Sequence, residues 1–153
     1  KPISRRTIAI AAALSVLALG SPLITGCTNP LETQTLEFMR NFSQGLEKYE
    51  AGNYQGAITD YDKAIEIDSQ SAFAYYNRGI AKYNLEDYQG AISDYTRAIE
   101  INPHYSNPHY ADAYNNRGNA RKLTNDLEGA CDDWKKAVDL GNQDAAEWVK
   151  NQC

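Results

Sequence analysis

Three cysteines, two histidines and several close pairs of aspartate are the residues of this 153-residue chain best equipped for chemistry. His104 and His109 stand five apart, each followed by a tyrosine. A metal would need further ligands beside them, and a spacing of five matches neither one helix face nor a zinc pattern. Asp60 with Asp62, and Asp132 with Asp133, bring carboxylates together as an acid–base pair would. On helices such neighbours are expected to form a solvated face instead. The chain has no glycine-rich phosphate loop, no His-Glu-x-x-His pair and no serine-centred elbow. Neither catalysis nor a metal or other cofactor is expected. The thiols of Cys27, Cys131 and Cys153 carry more information, and their surroundings decide how each is read.

Cys27 follows a segment unlike the rest of the chain. Residues 1–26 contain Lys1, Arg5 and Arg6, no acid, and an apolar run from Ile8 to Gly20. That run of 13 residues is short of the roughly 20 needed to span a bilayer core as a helix. A basic end, a short apolar middle and small residues before a cleavage point make an export signal. Ile24-Thr25-Gly26-Cys27 resembles the lipobox of bacterial lipoproteins. The resemblance implies cleavage before Cys27 and acylation of that cysteine, which would hold the chain on a membrane of the bacterial envelope. An ordinary signal peptide cut nearby, with Cys27 incidental, is the alternative. Ser4-Arg5-Arg6-Thr7-Ile8 also looks like a twin-arginine export signal. Without the three basic residues of this segment, 12 basic residues face 20 acidic ones, a charge of −8. Such a body repels phosphate backbones, so nucleic acid is not an expected partner.

The elements that position everything else are visible as a repeat. Tyr54-Gln55-Gly56-Ala57-Ile58 returns 34 residues later as Tyr88-Gln89-Gly90-Ala91-Ile92, and Ala64-Ile65-Glu66-Ile67 returns as Ala98-Ile99-Glu100-Ile101. Gly45, Gly79 and Gly118 recur in one helix of each copy, and Ala57, Ala91 and Ala130 in the other. Small residues on facing sides let two antiparallel helices approach closely, and the rings of Tyr61, Tyr95 and Trp134 fill the seam. This period and pattern resemble the tetratricopeptide repeat. The expected fold is all-α, a right-handed superhelical array of three helix-turn-helix pairs plus a C-terminal capping helix. The expected division is a signal peptide over 1–26 and a lipidated terminus and polar linker over 27–36. Repeats follow over 37–71, 72–105 and 111–144, with a capping helix over 145–153. Between the second and third repeats lies an inserted connector, 106–110. Asn102-Pro103-His104-Tyr105-Ser106 is followed by Asn107-Pro108-His109-Tyr110-Ala111, so a local duplication explains the insertion. It is expected to bulge outward or to lengthen the third pair's first helix by about a turn.

With Cys27 assigned to lipid, Cys131 and Cys153 form an even pair in an exported chain. A disulfide between them would staple the cap to the third repeat; two buried free thiols are the alternative. The resemblance further implies that the first helices of the pairs line a groove for an extended peptide or a helix. The residues mapping there are Met39, Phe42, Leu46 and Tyr49, then Phe73, Tyr76, Ile80 and Tyr83, then Asn115 and Asn119 with Asp112 and Lys122. Some of these side chains could instead be core, and the linker at Leu31–Leu36 could cover the first pair. Chaperone-binding members of the family hold a terminal carboxylate at positions matching Phe42, Leu46, Asn77, Asp112 and Asn116. Only Asn77 agrees, and Asp112 would repel the ligand. The function expected is a non-enzymatic adaptor that binds another protein from a lipid anchor. The alternative is a structural module that self-associates through residues 37–51.

Overall fold

The computed structural model describes residues 29–101 and 108–153. Every regular element among them is helical: α1 Pro30–Glu50, α2 Tyr54–Ile67, α3 Ala72–Asn84, α4 Tyr88–Ile101, α5 Pro108–Leu123, α6 Leu127–Asp139 and α7 Gln143–Gln152. Helices pack as pairs, α1 on α2, α3 on α4 and α5 on α6, and each pair packs on the next through α2–α3 and α4–α5. α7 closes the array against α6. None of the described helices is long and apolar enough to cross a membrane.

The turn inside each pair is built the same way. Gly52, Glu86 and Asn125 take a positive φ of 77°, 63° and 64°, and the next residue caps the second helix. The side chain of Asn53 accepts a hydrogen bond from the Gly56 N–H at 3.0 Å. Asp87 does the same for Gly90 at 3.0 Å and Asp126 for Gly129 at 2.9 Å. Each cap satisfies a donor that a helix N-terminus otherwise leaves unpaired.

Within each pair the small residues do what close approach requires. A Cβ at Gly45 would lie 2.5 Å from the Tyr61 ring, at Gly79 2.8 Å from Tyr95, and at Gly118 2.7 Å from Trp134. Those three rings are fully buried. The glycines are the hollows into which they fit.

Two expectations are corrected. The linker over 27–36 is helical from Pro30. Asn29 accepts from the Leu31 N–H at 3.2 Å, proline occupies the first turn where its missing N–H costs nothing, and Glu32 faces the positive end of the helix. Nor does this segment cover the first pair, since Leu31 and Leu36 are exposed. At the third pair α5 starts at Pro108, about one turn ahead of 111, while residues 102–107 lie outside the described part.

The aspartates are the second correction. Asp60 and Asp133 are not solvated: with Asp94 they are 1%, 3% and 3% exposed. Residues 57, 60, 61 and 64 fall at i, i+3, i+4 and i+7, one face of a helix, and the alanines already mark that face as the packed one. Each carboxylate is held by the pair's first helix. Lys48 reaches Asp60 at 2.5 Å, with Lys63 at 3.3 Å. Arg78 grips Asp94 with two bonds of 2.8 and 2.6 Å, and Lys82 adds a third contact at 2.8 Å. Arg117 grips Asp133 at 2.9 and 2.7 Å, with Arg121 at 2.9 Å. Burial alone would raise the Asp60 carboxyl, but the Lys48 and Lys63 ammonium groups outweigh it and hold it below the usual range. The two arginines also tie pair to pair, Arg78 to Asp62 at 2.5 Å and Arg117 to the Thr96 hydroxyl at 3.0 Å.

Candidate functional site

The residues expected to line the groove divide into two sets. Phe42 is buried, stacked on Phe38 at 5.9 Å and tilted against Tyr61 at 5.8 Å. Tyr76, Ile80 and Asn115 are buried as well. These four are therefore core. They sit beside the glycines of α1, α3 and α5, where the two helices of each pair meet. Tyr76 lends its hydroxyl oxygen to Asn116 Nδ2 at 3.1 Å, which joins α3 to α5. Burial raises the pKa of that hydroxyl above its ordinary value.

The third pair's remaining candidates are occupied within the chain, Asn119 by the pair's own second helix and Asp112 and Lys122 by the C-terminal end. Asn119 Oδ1 accepts the Trp134 Nε1–H at 3.1 Å. Asp112 accepts from Asn142 Nδ2 at 2.7 Å, the residue that caps α7. The Lys122 ammonium stands 4.1 Å above the Trp148 ring, which itself stacks on Trp134 at 5.4 Å. A disulfide joins Cys131 of α6 to Cys153 at the end of α7, with Cα atoms 5.7 Å apart.

Met39, Leu46, Tyr49, Phe73 and Tyr83 are left. Met39 is 54% and Phe73 42% exposed, and the other three are half-buried. Tyr49 packs on Tyr54 and Tyr83 on Tyr88, each with ring centroids 5.3 Å apart. Asn84 Nδ2 donates to the Tyr49 hydroxyl at 3.3 Å and bridges α3 to α1. Burial raises the pKa of both phenols, so each stays neutral at ordinary pH. The accessible part of this face is apolar and aromatic, with phenolic hydroxyls for orientation. It can bury apolar side chains and place a few hydrogen bonds.

Cys27 and His104, and the side chain of His109, lie outside the described residues. Among the described ones, no group of three or more His, Cys, Asp or Glu is arranged to hold a metal ion. What reading along the chain missed is the buried carboxylate ladder and the hold of α7 on α5. The first was signalled by Asp60, Asp94 and Asp133 recurring three residues after Ala57, Ala91 and Ala130. The second had no sequence signal, because it depends on where α7 lands.

Comparison with known proteins agrees with this geometry. A tetratricopeptide repeat family model matches residues 72–105, and a TPR repeat model matches residues 45–86. The chain carries tetratricopeptide repeats. Among solved structures, the second TPR domain of human RPAP3 in complex with the HSP70 peptide SGPTIEEVD is similar. The two are 27% identical with a TM-score of 0.70, over 76% of this chain and 95% of that one. The first TPR of Spaghetti (RPAP3), bound to the HSP90 peptide SRMEEVD, is 27% identical with a TM-score of 0.69, over 75% and 89%. The Arabidopsis OM64 TPR domain is 26% identical with a TM-score of 0.71, over 78% and 96%. No curated protein matches the chain. The repeats thus form an all-helical solenoid like these neighbours. The positions that would clamp a terminal carboxylate differ, however. Asn77 is buried and donates to the Phe73 carbonyl at 2.8 Å, Phe42 is core, and Asp112 holds the cap.

Proposed function

We propose that this protein is an adaptor that binds an apolar stretch of another polypeptide, extended or helical, along α1 and α3. We further propose that it does so from an acyl anchor on Cys27 at a bacterial cell envelope. The observation that carries the first part is the exposure of Met39 and Phe73 beside Leu46, Tyr49 and Tyr83, a set with no structural need to face water. Solved neighbours that bind peptides lend the adaptor reading support. The acidic ends of those peptides are not the ligand proposed here, because no base stands at the clamp positions and Asp112 carries the wrong charge. Support for the anchor is the lipobox-like Ile24-Thr25-Gly26-Cys27 and the basic and apolar segment before it. The apolar, neutral face offers binding area and no reacting group, which favours an adaptor over an enzyme.

End-to-end self-association through the first pair is less well supported. Tyr75 and Tyr114 each carry an arginine above the ring, Arg78 and Arg117, at 5.3 Å, and those arginines bridge to the preceding pair. The corresponding residues of α1 are Asn41 and Gln44, which lack both the ring and the charge.

A photo-cross-linking residue placed at Phe73 or Tyr83 tests the groove in native membranes. A discrete adduct from these sites, absent when the residue replaces exposed Gln55 on α2, is the expected outcome. Equal labelling from all three would remove the groove. Fractionation of a Cys27→Ala variant tests the anchor separately: it should leave the membrane fraction.

A further inference from the structure

We infer that the Cys131–Cys153 disulfide is a redox latch: reduction by an external dithiol releases α7 and uncovers the inner face of the third pair. As regulation of the groove proposed above, the latch rests on that reading; the release of α7 itself does not.

α7 is held by few contacts. Of its ten residues only Ala145 is buried, with Trp148 and Val149 half-buried against the α6 cluster. Asn142 reaches Asp112 at 2.7 Å, Trp148 stacks on Trp134 at 5.4 Å, and the Lys122 ammonium stands 4.1 Å from the centre of the Trp148 ring. A helix this short is marginal alone, so these contacts and the disulfide decide whether it stays docked. Closing a loop with 22 residues of sequence separation favours the docked state by about a hundredfold. The stack and the cation–ring contact are each worth about tenfold or less where half-exposed.

The release is local and has a hinge. Arg117 and Arg121 hold α5 to α6 through Asp133 without help from the disulfide. Leu140, Gly141 and Asn142 join α6 to α7. Gly141 takes a φ of 94°, in the region that favours glycine, with nothing within 4 Å of a Cβ placed there. Asn142 accepts the Ala145 N–H at 2.9 Å, so α7 keeps its own cap when it moves.

The two sulfurs are unequally placed. Cys131 is buried in α6, whereas Cys153 is exposed. A thiolate of the dithiol attacks the Cys153 sulfur, the S–S bond breaks, and Cys131 leaves as a thiolate that takes up a proton. The reductant's second thiol then loses its proton, displaces Cys153 and closes the reductant's own disulfide, and Cys153 takes up the second proton. Two electrons and two protons thus pass from the dithiol to the pair. With α7 released, Trp134 loses its stacked cover and Lys122 its ring. A cation and an aromatic face then join the apolar groove at α5.

Trp134 and Trp148 are the chain's two tryptophans, so quenching of its emission by acrylamide reads this contact alone. The full chain is treated with dithiothreitol, and intact mass after alkylation confirms the gain of two thiols. Quenching should then rise, and hydrogen exchange over 143–152 should quicken by about a hundredfold while α1–α4 keep their protection. A Cys131→Ser/Cys153→Ser variant should show both changes without dithiothreitol and no response to it. Reduction with quenching and exchange unchanged would overturn the latch. So would a bond that dithiothreitol opens only in urea, or loosening of all three pairs together. These readouts use no partner, so loss of the groove's cross-link at Phe73 or Tyr83 would count against the groove and leave the release of α7 standing.

Discussion

The first and third helix pairs share a plan and differ in what they do with its inner face. In the first pair Met39 stays exposed, Leu46 and Tyr49 are half-buried, and the carboxylate of Asp60 is held by two flexible lysines. In the third pair Asp112 and Lys122 hold the chain's own C-terminal end, Asn119 holds Trp134 of the same pair, and Asp133 is gripped by two arginines. A disulfide then fixes α7 over that region. The plan thus leaves an exposed apolar face at one end and closes the other. A solenoid needs closure because a repeat buries its face only against a neighbour.

The largest way to break this comparison is to take the grip from the third pair. Arg117→Met leaves a buried carboxylate with Arg121 as its remaining partner and cuts the bridge to Thr96. A loss of about 3–5 kcal/mol in unfolding free energy is expected, since the buried carboxylate loses two of its three charge-assisted bonds. Lys48→Met should cost less, about 1–2 kcal/mol, because that lysine is partly exposed to water and Lys63 remains. Urea unfolding of the two variants reads the difference. Equal losses would mean that the two ends are built alike.

A smaller effect is expected from opening the staple. Cys153→Ser frees a loop with 22 residues of sequence separation, worth about 3 kcal/mol in chain entropy. Hydrogen exchange should quicken first over residues 143–152, since a ten-residue helix is marginal alone. Protection in α1 and α2 should hold. Uniform loosening of all three pairs would show instead that α7 supports the whole array.

How far this contrast could be read from the chain depends on how local its cause is. The 34-residue period carried the pairs, because Gly45, Gly79 and Gly118 have one job each, opposite a named ring. The start of α1 was missed by about two turns: polar residues 28–36 look like linker, although Asn29-Pro30 with Glu32 is a competent helix start. The buried aspartates were misassigned because charge outweighed position in the reading, whereas the fold places position first and supplies lysine or arginine to match. For the groove, the pattern found the helices but not the depth of each residue. Phe42 and Met39 are three apart on α1, yet one is core and the other exposed. Depth depends on the neighbouring pair, which no single helix records.

The smallest expected effects lie in the rings at the three seams, where the pairs differ by chemistry alone. Trp134 has a partner for its N–H in Asn119, whereas the buried hydroxyls of Tyr61 and Tyr95 have no hydrogen-bond partner among the described residues. Asn119→Ala should therefore cost about 1–2 kcal/mol by orphaning a buried donor, while Tyr61→Phe and Tyr95→Phe should be neutral or stabilising at pH 7. Alkaline solution should widen that gap. Burial raises the pKa of both phenols above the ordinary value of about 10 that they regain on unfolding. A raised native pKa means that the unfolded chain releases protons first, so their contribution is complete below pH about 10 and declines as pH rises beyond it. The double Tyr→Phe variant should then lose stability less steeply above pH 10 than the parent, with Tyr76, Tyr49, Tyr83 and Tyr110 carrying the slope that remains. Trp134 does not titrate, so the third seam adds nothing to that decline. Unfolding curves between pH 8 and pH 11 that run parallel for parent and double variant would show that these two rings ionise no differently in the folded chain than in the unfolded one.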